Sequence, residues 1–195
     1  MSNSTLSSVR RAALVAWADI VLIMKTCGAE IPLFDFQTAT NVPAWQVVND
    51  DVMGGVSTSQ FLLLTNGGAV FSGVVSLENN GGFASVRSAL VQKNLSGSDT
   101  FVLRVRGDGR RYKFTVRTDA GFDGANYQAE FATKAGEWQE YRLPFKDFVP
   151  TFRGRVLTGV PPLNAAQIAS VGFLISDKQS GPFRLEVSWI KAATR

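Results

Sequence analysis

The sequence predicts an all-β protein, a jelly-roll sandwich of two antiparallel sheets. From Leu33 onward, apolar and polar residues alternate with period two in short runs, which is typical of half-buried strands. These runs are rich in Val, Phe, Tyr, Trp and Thr, and turn residues separate them about every 8–15 positions. The 18 glycines fall largely in those separators, where the backbone needs positive φ angles.

The runs predict strands in the following order: Leu33–Gln37, Trp45–Val48, Ser57–Leu64, Ala69–Ser76, Phe83–Ser88, Thr100–Arg106, Arg111–Thr118, Tyr127–Phe131, Trp138–Leu143, Ser170–Ser176 and Phe183–Lys191. Only Asn164–Ala169 and Leu90–Leu95 have the pattern of short helical turns. Because the chain contains no internal repeat and no interdomain linker, residues 31–195 are predicted to form a single domain.

Residues 1–30 are predicted to be a separate N-terminal extension. Arg10 and Arg11 follow a Ser/Thr-rich start, and Ala12–Met24 is apolar except for Asp19. This pattern fits a secretory signal peptide, an organelle transit peptide or a twin-arginine signal. We favour a short amphipathic helix or loose tail, or a start placed upstream of the true one at Met24.

The extension bears on location as well. No stretch reaches 18 apolar residues without a charge, so no transmembrane helix is expected. We favour a soluble intracellular location, cytoplasmic or organellar if the source is eukaryotic. Export is the alternative if residues 1–29 are a signal peptide.

Two absences remove most enzyme classes. The chain has no histidine, which excludes Ser-His-Asp and Cys-His triads and every histidine-ligated metal site. Cys27 is the single cysteine, so neither an internal disulfide nor a cysteine-rich zinc site can form. The net charge of +4 is too small to predict nucleic-acid binding by itself.

Residues 101–117 are predicted to form a hairpin with a basic outer face. Alternation sends the apolar side chains to the core and the cations to the other side of the ribbon. The residues predicted to share that side are Arg104, Arg106, Arg111, Lys113 and Arg117. Internal pairing or hydration is the interpretation we favour, with Glu130, Glu140 and Glu186 as candidate partners; a binding face is the alternative. Tyr112 and Phe114 fall on the opposite face, which argues against base stacking.

The segment 47–57 is unusually rich in small and acidic residues for a loop between two strands. Asn49 and Asp50 can close turns through their side chains, and the pair Gly54-Gly55 allows close approach of the backbone. An acid/base pair of Asp50 and Asp51 is one hypothesis. Turn capping with an ion pair to Arg87 or a nearby arginine is the interpretation we favour.

Other candidate sites have simpler interpretations. The run from Asp119 to Gly124 lacks the alternating acidic ligands of an EF-hand, so turn chemistry is favoured over a calcium loop. No glycine-rich segment continues into the Gly-Lys-Ser/Thr of a P-loop. The aromatic residues that could form a sugar platform are expected to lie in the core instead, as are Trp45 and Trp189. The platform candidates are Trp138, Tyr141, Phe145 and Phe148.

The sequence resembles the complex I intermediate-associated protein family, the assembly-factor domain of NADH:ubiquinone oxidoreductase. The matching motifs are Trp45 with Val48-Asn49-Asp50-Asp51-Val52-Met53-Gly54-Gly55-Val56-Ser57, Phe71-Ser72-Gly73, Gly82-Phe83-Ala84-Ser85-Val86-Arg87, Leu103-Arg104-Val105-Arg106-Gly107-Asp108-Gly109, Trp138 with Leu143-Pro144-Phe145, Phe148-Val149-Pro150-Thr151-Phe152-Arg153-Gly154, Val171-Gly172-Phe173-Leu174-Ile175-Ser176-Asp177-Lys178-Gln179 and Gly181-Pro182-Phe183-Arg184-Leu185. They run from about Leu33 to Lys191 in one order, which makes the resemblance specific.

The resemblance implies a galactose-binding-like fold and a non-catalytic role in assembling a multi-subunit respiratory complex of the membrane. We therefore predict a binding module that contacts protein subunits, without cofactor, metal or nucleic acid. The alternative is a module that binds carbohydrate or an anionic metabolite. The predicted partner-binding residues are Asn49, Asp50, Asp51, Gly54, Gly55, Ser57, Arg87, Arg104, Arg106, Arg111, Lys113 and Arg117.

Overall fold

Thirteen strands form the framework of the described part of the chain. The computed structural model describes residues 29–38, 44–91, 93–121 and 124–194. The strands are β1 Glu30–Asp35, β2 Gln46–Asn49, β3 Thr58–Leu63, β4 Ala69–Val75, β5 Ala84–Arg87, β6 Thr100–Arg106, β7 Arg111–Arg117, β8 Asn126–Ala132, β9 Trp138–Pro144, β10 Val149–Phe152, β11 Arg155–Val156, β12 Ser170–Ile175 and β13 Gly181–Ala193. Short 3₁₀ turns span Asp50–Met53, Glu78–Asn80, Phe145–Asp147 and Ala165–Gln167.

The strands form two antiparallel sheets, which confirms the predicted sandwich. The six-stranded sheet has the order β3-β4-β13-β6-β9, and β1 also pairs with β13. The seven-stranded sheet has the order β11-β10-β8-β7-β12-β5-β2. Among the described residues, no helix is long and apolar enough to cross a membrane. The predictions for residues 1–28, including the short helix, lie outside the described residues.

The core lies between the inner faces of the two sheets and is rich in aromatic rings. Phe101 of β6 and Phe114 of β7 are fully buried, and their ring centroids lie 5.0 Å apart across the sandwich. Tyr112 and Phe173 are also fully buried. Because each strand alternates its side chains between two faces, the period-two pattern in the sequence predicted these inward positions correctly.

The core prediction holds for some of the aromatic residues outside this centre. Phe145 and Phe148 are buried, and Trp45 stacks on Phe61 with 4.5 Å between ring centroids. Trp138 and Trp189 instead lie on the outer face of the six-stranded sheet. In register Trp138 faces Arg106 and Trp189 faces Arg104, and both arginines point away from the core. The core prediction is therefore wrong for these two tryptophans.

The predicted strand boundaries differ from the structure mainly at turns. β1 begins three residues before the predicted start at Leu33. The sequence did not predict β10 and β11, because Pro150 disfavours a central strand and β11 has only two residues. The turn predicted at Asn164–Ala169 contains the 3₁₀ turn Ala165–Gln167, whereas the described residues of Leu90–Leu95 form no helix.

The predicted hairpin of residues 101–117 is wrong, because β6 and β7 belong to different sheets. β6 pairs with β13 and β9, whereas β7 pairs with β8 and β12. Gly107 forms a bridge with Ala135, and the connection then crosses from one sheet to the other. The two strands face each other across the core, so their outward cations point in opposite directions. Arg104 and Arg106 therefore do not share a face with the cations of β7, which are Arg111, Lys113 and Arg117.

Candidate functional site

The segment that connects β2 to β3 forms a compact loop at one end of the sandwich. A 3₁₀ turn over Asp50–Met53 follows β2 directly. Gly54 ends the turn in the left-handed conformation at φ 88°, where a glycine avoids the strain of a side chain. The N–H groups of Gly54 and Gly55 donate to the carbonyls of Asp51 and Asp50.

Asp50 holds this loop together from the inside. Its carboxylate has no exposed surface and accepts hydrogen bonds from the N–H of Ser57 (2.9 Å) and the Ser57 hydroxyl. It also accepts from the N–H groups of Gly82 (2.6 Å) and Phe83 (3.2 Å). The buried carboxylate therefore ties the loop after β2 to the loop before β5. It bonds to distant donors and not within its own turn, so its role differs from the predicted turn capping.

Two glycines make room for that carboxylate. A Cβ at Gly55 would lie 2.4 Å from the Asp50 Cγ, and a Cβ at Gly81 would lie 2.6 Å from its Oδ2. Both distances are shorter than any van der Waals contact allows. Asn49 is also used internally, because its Oδ1 accepts from the Ser59 hydroxyl at 2.6 Å. Asp50, Gly55 and Ser57 are buried and position the loop, and Asn49 is half-buried.

The predicted ion pair between Asp50 and Arg87 is wrong. In the described part of the chain, the partners of the Asp50 carboxylate are backbone N–H groups and the Ser57 hydroxyl. Arg87 alternates with the buried Val86 on β5 and so points to the outer side of the seven-stranded sheet. Burial lowers the pKa of Arg87, the nearby charge of Arg117 lowers it further, and Asp119 opposes both effects.

The acid/base hypothesis for Asp50 and Asp51 does not fit this geometry. Asp50 is enclosed by hydrogen-bond donors, whereas Asp51 is exposed to solvent. A pair of carboxyl groups that acts on one substrate must reach the same space. The two neighbouring residues lie in opposite environments.

The hydrogen bonds to Asp50 also change its acidity. Burial alone would raise the pKa of Asp50, but the donors from Ser57, Gly82 and Phe83 outweigh burial and hold the pKa below its ordinary value of 3.8. Glu186 behaves in the same way. Burial would raise its pKa, whereas hydrogen bonds from Arg106 and Arg184 lower it overall.

We expect the free energy of unfolding to decrease in acid because of these two groups. A carboxyl group with a lowered folded-state pKa stabilises the fold fully above its unfolded pKa, and this contribution is lost as the pH falls through the folded value. Urea unfolding between about pH 6 and about pH 3 measures the effect. In the Asp50→Asn variant, the free energy of unfolding should depend less steeply on pH than in the unmodified chain. Equal slopes would contradict the role assigned to Asp50.

The outer side of the same loop carries an exposed apolar surface, which we call the loop patch. Its apolar members are Val52 (68% exposed), Met53 (59%), Val56 (47%) and Leu77 (44%). The Ser57 hydroxyl accepts from the N–H of Ser76 at 2.9 Å, so the segments that carry Val56 and Leu77 are adjacent. Asp51 and Glu78, both exposed, border the patch. Burial within the fold does not account for these apolar side chains.

The predicted cations are paired within the fold, and Arg104, Arg106 and Arg111 have the predicted glutamate partners. On the six-stranded sheet, Arg104 contacts Glu140 at 3.1 Å and Arg106 contacts Glu186 at 2.5 Å. On the other sheet, Arg111 lies 3.8 Å from Glu130 and Lys113 lies 2.7 Å from Asp177. Arg117 donates to the carbonyls of Gly121 and Gly124. The favoured interpretation of internal pairing is thus confirmed for Arg104, Arg106, Arg111 and Lys113, although not on one common face.

Sequence reasoning missed the role of Asp108 between β6 and β7. The Asp108 carboxylate accepts from the Tyr112 hydroxyl at 3.0 Å and from the backbone N–H of Arg184 at 2.9 Å. It therefore connects a strand of each sheet. Burial is the main reason that the pKa of Tyr112 is raised, with the Asp108 charge adding to it. The motif Gly107-Asp108-Gly109 was the available signal in the sequence.

The Asp119 carboxylate stabilises a turn of the chain. Its Oδ1 accepts from the N–H of Gly121 at 2.9 Å, which is the expected Asx turn. Asp123 lies outside the described residues. The described residues contain no group of three or more His, Cys, Asp or Glu side chains arranged to hold a metal ion.

Comparisons with known proteins identify a family whose model matches most of this chain. The family model described as "Complex I intermediate-associated protein 30 (CIA30)" matches residues 34–187. The mouse mitochondrial protein of that name is 32% identical over 183 residues, covering 83% of this chain and 56% of the mouse protein. The mitochondrial relative in Drosophila melanogaster is 29% identical, covering 89% of this chain and 66% of that protein. The chain thus spans only about half to two thirds of these relatives.

Solved structures show the same fold at low sequence identity. A family 11 carbohydrate-binding module of a Clostridium thermocellum cellulase matches with a TM-score of 0.64 and 17% identity, covering 87% of this chain and 97% of the module. An agarase matches with a TM-score of 0.58 and 14% identity, covering 86% of this chain and 25% of the agarase. These similarities concern the jelly-roll architecture alone.

Proposed function

Because the chain belongs to the complex I intermediate-associated protein 30 family, we propose that it is a non-catalytic binding module that assists complex I assembly by contacting protein subunits. The curated relatives carry names of mitochondrial complex I intermediate-associated proteins, which supports this role. Those names also support an organellar location if the source is eukaryotic. Residues 31–195 would act as a single domain, and residues 1–30 as an extension outside it.

The loop patch is the observation that carries the proposal. One set of residues in the family-matching segment, including Asp50 and Gly55, is buried and fixes the loop. The other set, which includes Val52 and Met53, is exposed and apolar. Exposed apolar side chains that the fold does not need are typical of a protein-interaction site, and the hydrogen bonds of Asp50 fix the loop backbone that carries them. Among the residues predicted from the sequence, Asp51 remains a candidate contact on this surface.

The alternative of a carbohydrate-binding module has less support. Sugar-binding faces use exposed aromatic rings for stacking. Among the described residues, β2, β5, β7, β8 and β12 turn no aromatic side chain outward. Their outward positions hold mainly polar, charged or small residues, together with the aliphatic Val48 and Leu174. Gly172 lies near the centre, with Arg87 and Thr115 on its two sides. The similarity to carbohydrate-binding modules therefore does not extend to an aromatic platform on this face.

We expect the double substitution Val52→Ser and Met53→Ser to reduce capture of complex I subunits about tenfold, as the loss of a small apolar hot spot would. The measurement is affinity purification of the tagged chain from its native cells, with quantification of complex I subunits by mass spectrometry. Because both side chains are largely exposed, thermal stability should change little.

The matched control for this experiment is Val156→Ser. Val156 is 65% exposed on β11, at the edge of the seven-stranded sheet opposite β2. Its replacement removes exposed apolar surface far from the loop patch. Capture should be unchanged in this variant. Equal capture by the double variant and the control would show that the loop patch makes no contact. Absence of complex I subunits with the unmodified chain would contradict the assembly role itself.

A further inference from the structure

The outer face of the six-stranded sheet holds a second surface, independent of the loop patch. A cleft of about 270 Å³ lies at the end of β6 and is lined by Arg106, Gly107, Asp108, Gly136, Arg184 and Glu186. Gly136 has a left-handed backbone, and nothing lies within 4 Å of the position its Cβ would take. The cleft is therefore open to solvent on the side of β9.

Two guanidinium groups in the cleft share one carboxylate. Glu186 Oε2 accepts from Arg106 Nη2, while Glu186 Oε1 accepts from Arg184 at 2.9 and 3.0 Å. Only 9% of the Glu186 side chain is exposed, compared with 38% for Arg106 and 53% for Arg184. The carboxylate thus lies beneath the two arginines, and both cations face the solvent.

The residues that line the cleft carry two cations and two carboxylates, and Arg110 beside the cleft adds a third cation. Asp108 also lines the cleft, but Arg110 lies 3.7 Å from it and its own hydrogen bonds go to the backbone carbonyls of Gln179 and Ser180. A guanidinium has five N–H donors, and Glu186 receives one from Arg106 and two from Arg184. The remaining donors can bind a carboxylate from outside.

The ring of Trp138 lies beside these cations. The Trp138 ring centroid lies 5.1 Å from the Arg106 Cζ and 5.8 Å from the Arg104 Cζ, and 37% of Trp138 is exposed. Stacking on the ring restricts the arginine side chains before any partner arrives. Arginine and tryptophan are also the residues most enriched at the energetic centres of protein interfaces.

We propose that Arg106, Arg184 and Trp138 form a docking site for an acidic polypeptide segment of a partner protein. A glutamate or aspartate side chain of the partner enters the cleft and accepts hydrogen bonds from the two guanidinium groups. Its aliphatic carbons, and those of its neighbours, pack on the Trp138 ring. Charge complementarity selects a partner that carries carboxylates, and the tryptophan selects a polypeptide over a small anion.

The test uses the full chain and a fluorescently labelled peptide of alternating glutamate and leucine, with the glutamine counterpart as the control peptide. Fluorescence anisotropy should show binding of the acidic peptide that weakens as salt is added. Arg184→Gln and Trp138→Ala should each weaken this binding about tenfold. Arg184→Gln leaves Arg106 paired with Glu186, so the fold is expected to persist.

The matched control is Arg155→Gln, an exposed cation on β11 of the other sheet, which should leave binding unchanged. Equal loss in this variant would mean that net charge alone drives binding and would overturn the proposal. No binding of the acidic peptide, or equal binding of the glutamine peptide, would also overturn it. So would displacement by inorganic phosphate at matched concentration, or tighter binding of a single-stranded oligonucleotide that depends on the same residues.

Discussion

Replacing Asp50 by alanine is expected to lower the free energy of unfolding by about 4 kcal/mol, because several buried donors lose their acceptor at once. The carboxylate receives four hydrogen bonds from Ser57, Gly82 and Phe83. Alanine fills little of the space and accepts none of them. Water has no direct access to the site, since Asp50 has no exposed surface.

Urea unfolding followed by tryptophan fluorescence measures this loss. Asp51→Ala provides the control, because Asp51 is the neighbouring carboxylate but is exposed to solvent. This substitution should change the free energy of unfolding by no more than about 0.5 kcal/mol. Adding Gly55→Ala to each background tests the packing around the carboxylate. This second substitution should be costly when Asp50 is present and less costly when alanine stands there, because the overlap with the carboxyl group is then gone and only the 2.8 Å contact with the Cβ of residue 50 remains. Similar losses for Asp50→Ala and Asp51→Ala would contradict the structural role of the buried carboxylate.

The second large effect is expected for Gly172→Ala, with a loss of about 3 kcal/mol from steric overlap in a closely packed sheet. A Cβ at Gly172 would lie 2.2 Å from the Val86 carbonyl oxygen and 2.9 Å from the Thr115 hydroxyl oxygen. Gly172 lies in β12, between β5 and β7, so neither neighbouring strand can move without disturbing the middle of the sheet.

Gly97→Ala is the matched control for this substitution. Nothing lies within 4 Å of the Cβ position at Gly97, and its backbone is not left-handed. Alanine there should leave stability unchanged or raise it by up to about 1 kcal/mol, because it restricts the unfolded chain. Thermal unfolding of both variants gives the comparison. A Gly172→Ala variant as stable as the control would show that the sheet can widen at this point.

The sequence predicted which side chains face the core, but not which strands are neighbours. Phe101, Phe114 and Arg104 all take the side that their alternation predicts. That alternation is the same whether β6 and β7 pair edge to edge or face each other across the core. The short connection at residues 107–110 suggested a hairpin, while the contact of Gly107 with Thr133 and Ala135, which directs the chain to the other sheet, involves residues distant in sequence.

The candidate site was predictable only in part for a related reason. The family-matching segment was found from its residues, yet Asp50 and Asp51 are adjacent and chemically identical in the sequence. Their different burial depends on donors from Gly82 and Phe83, more than thirty residues away. In contrast, Glu140 and Glu186 were among the candidate partners predicted for the cations, and the register places them beside Arg104 and Arg106 of β6.

The position of β13 has a consequence for how the protein is made in the cell. This strand spans Gly181–Ala193 and pairs with β1, β4 and β6, so it holds together segments from the beginning and the middle of the chain. Until β13 has been synthesised and has emerged from the ribosome, β4 and β6 each have an unsatisfied edge, because β13 is the strand that lies between them. Nascent chains that still lack β13 are therefore the forms most prone to aggregate, and the forms that most need protection by general chaperones.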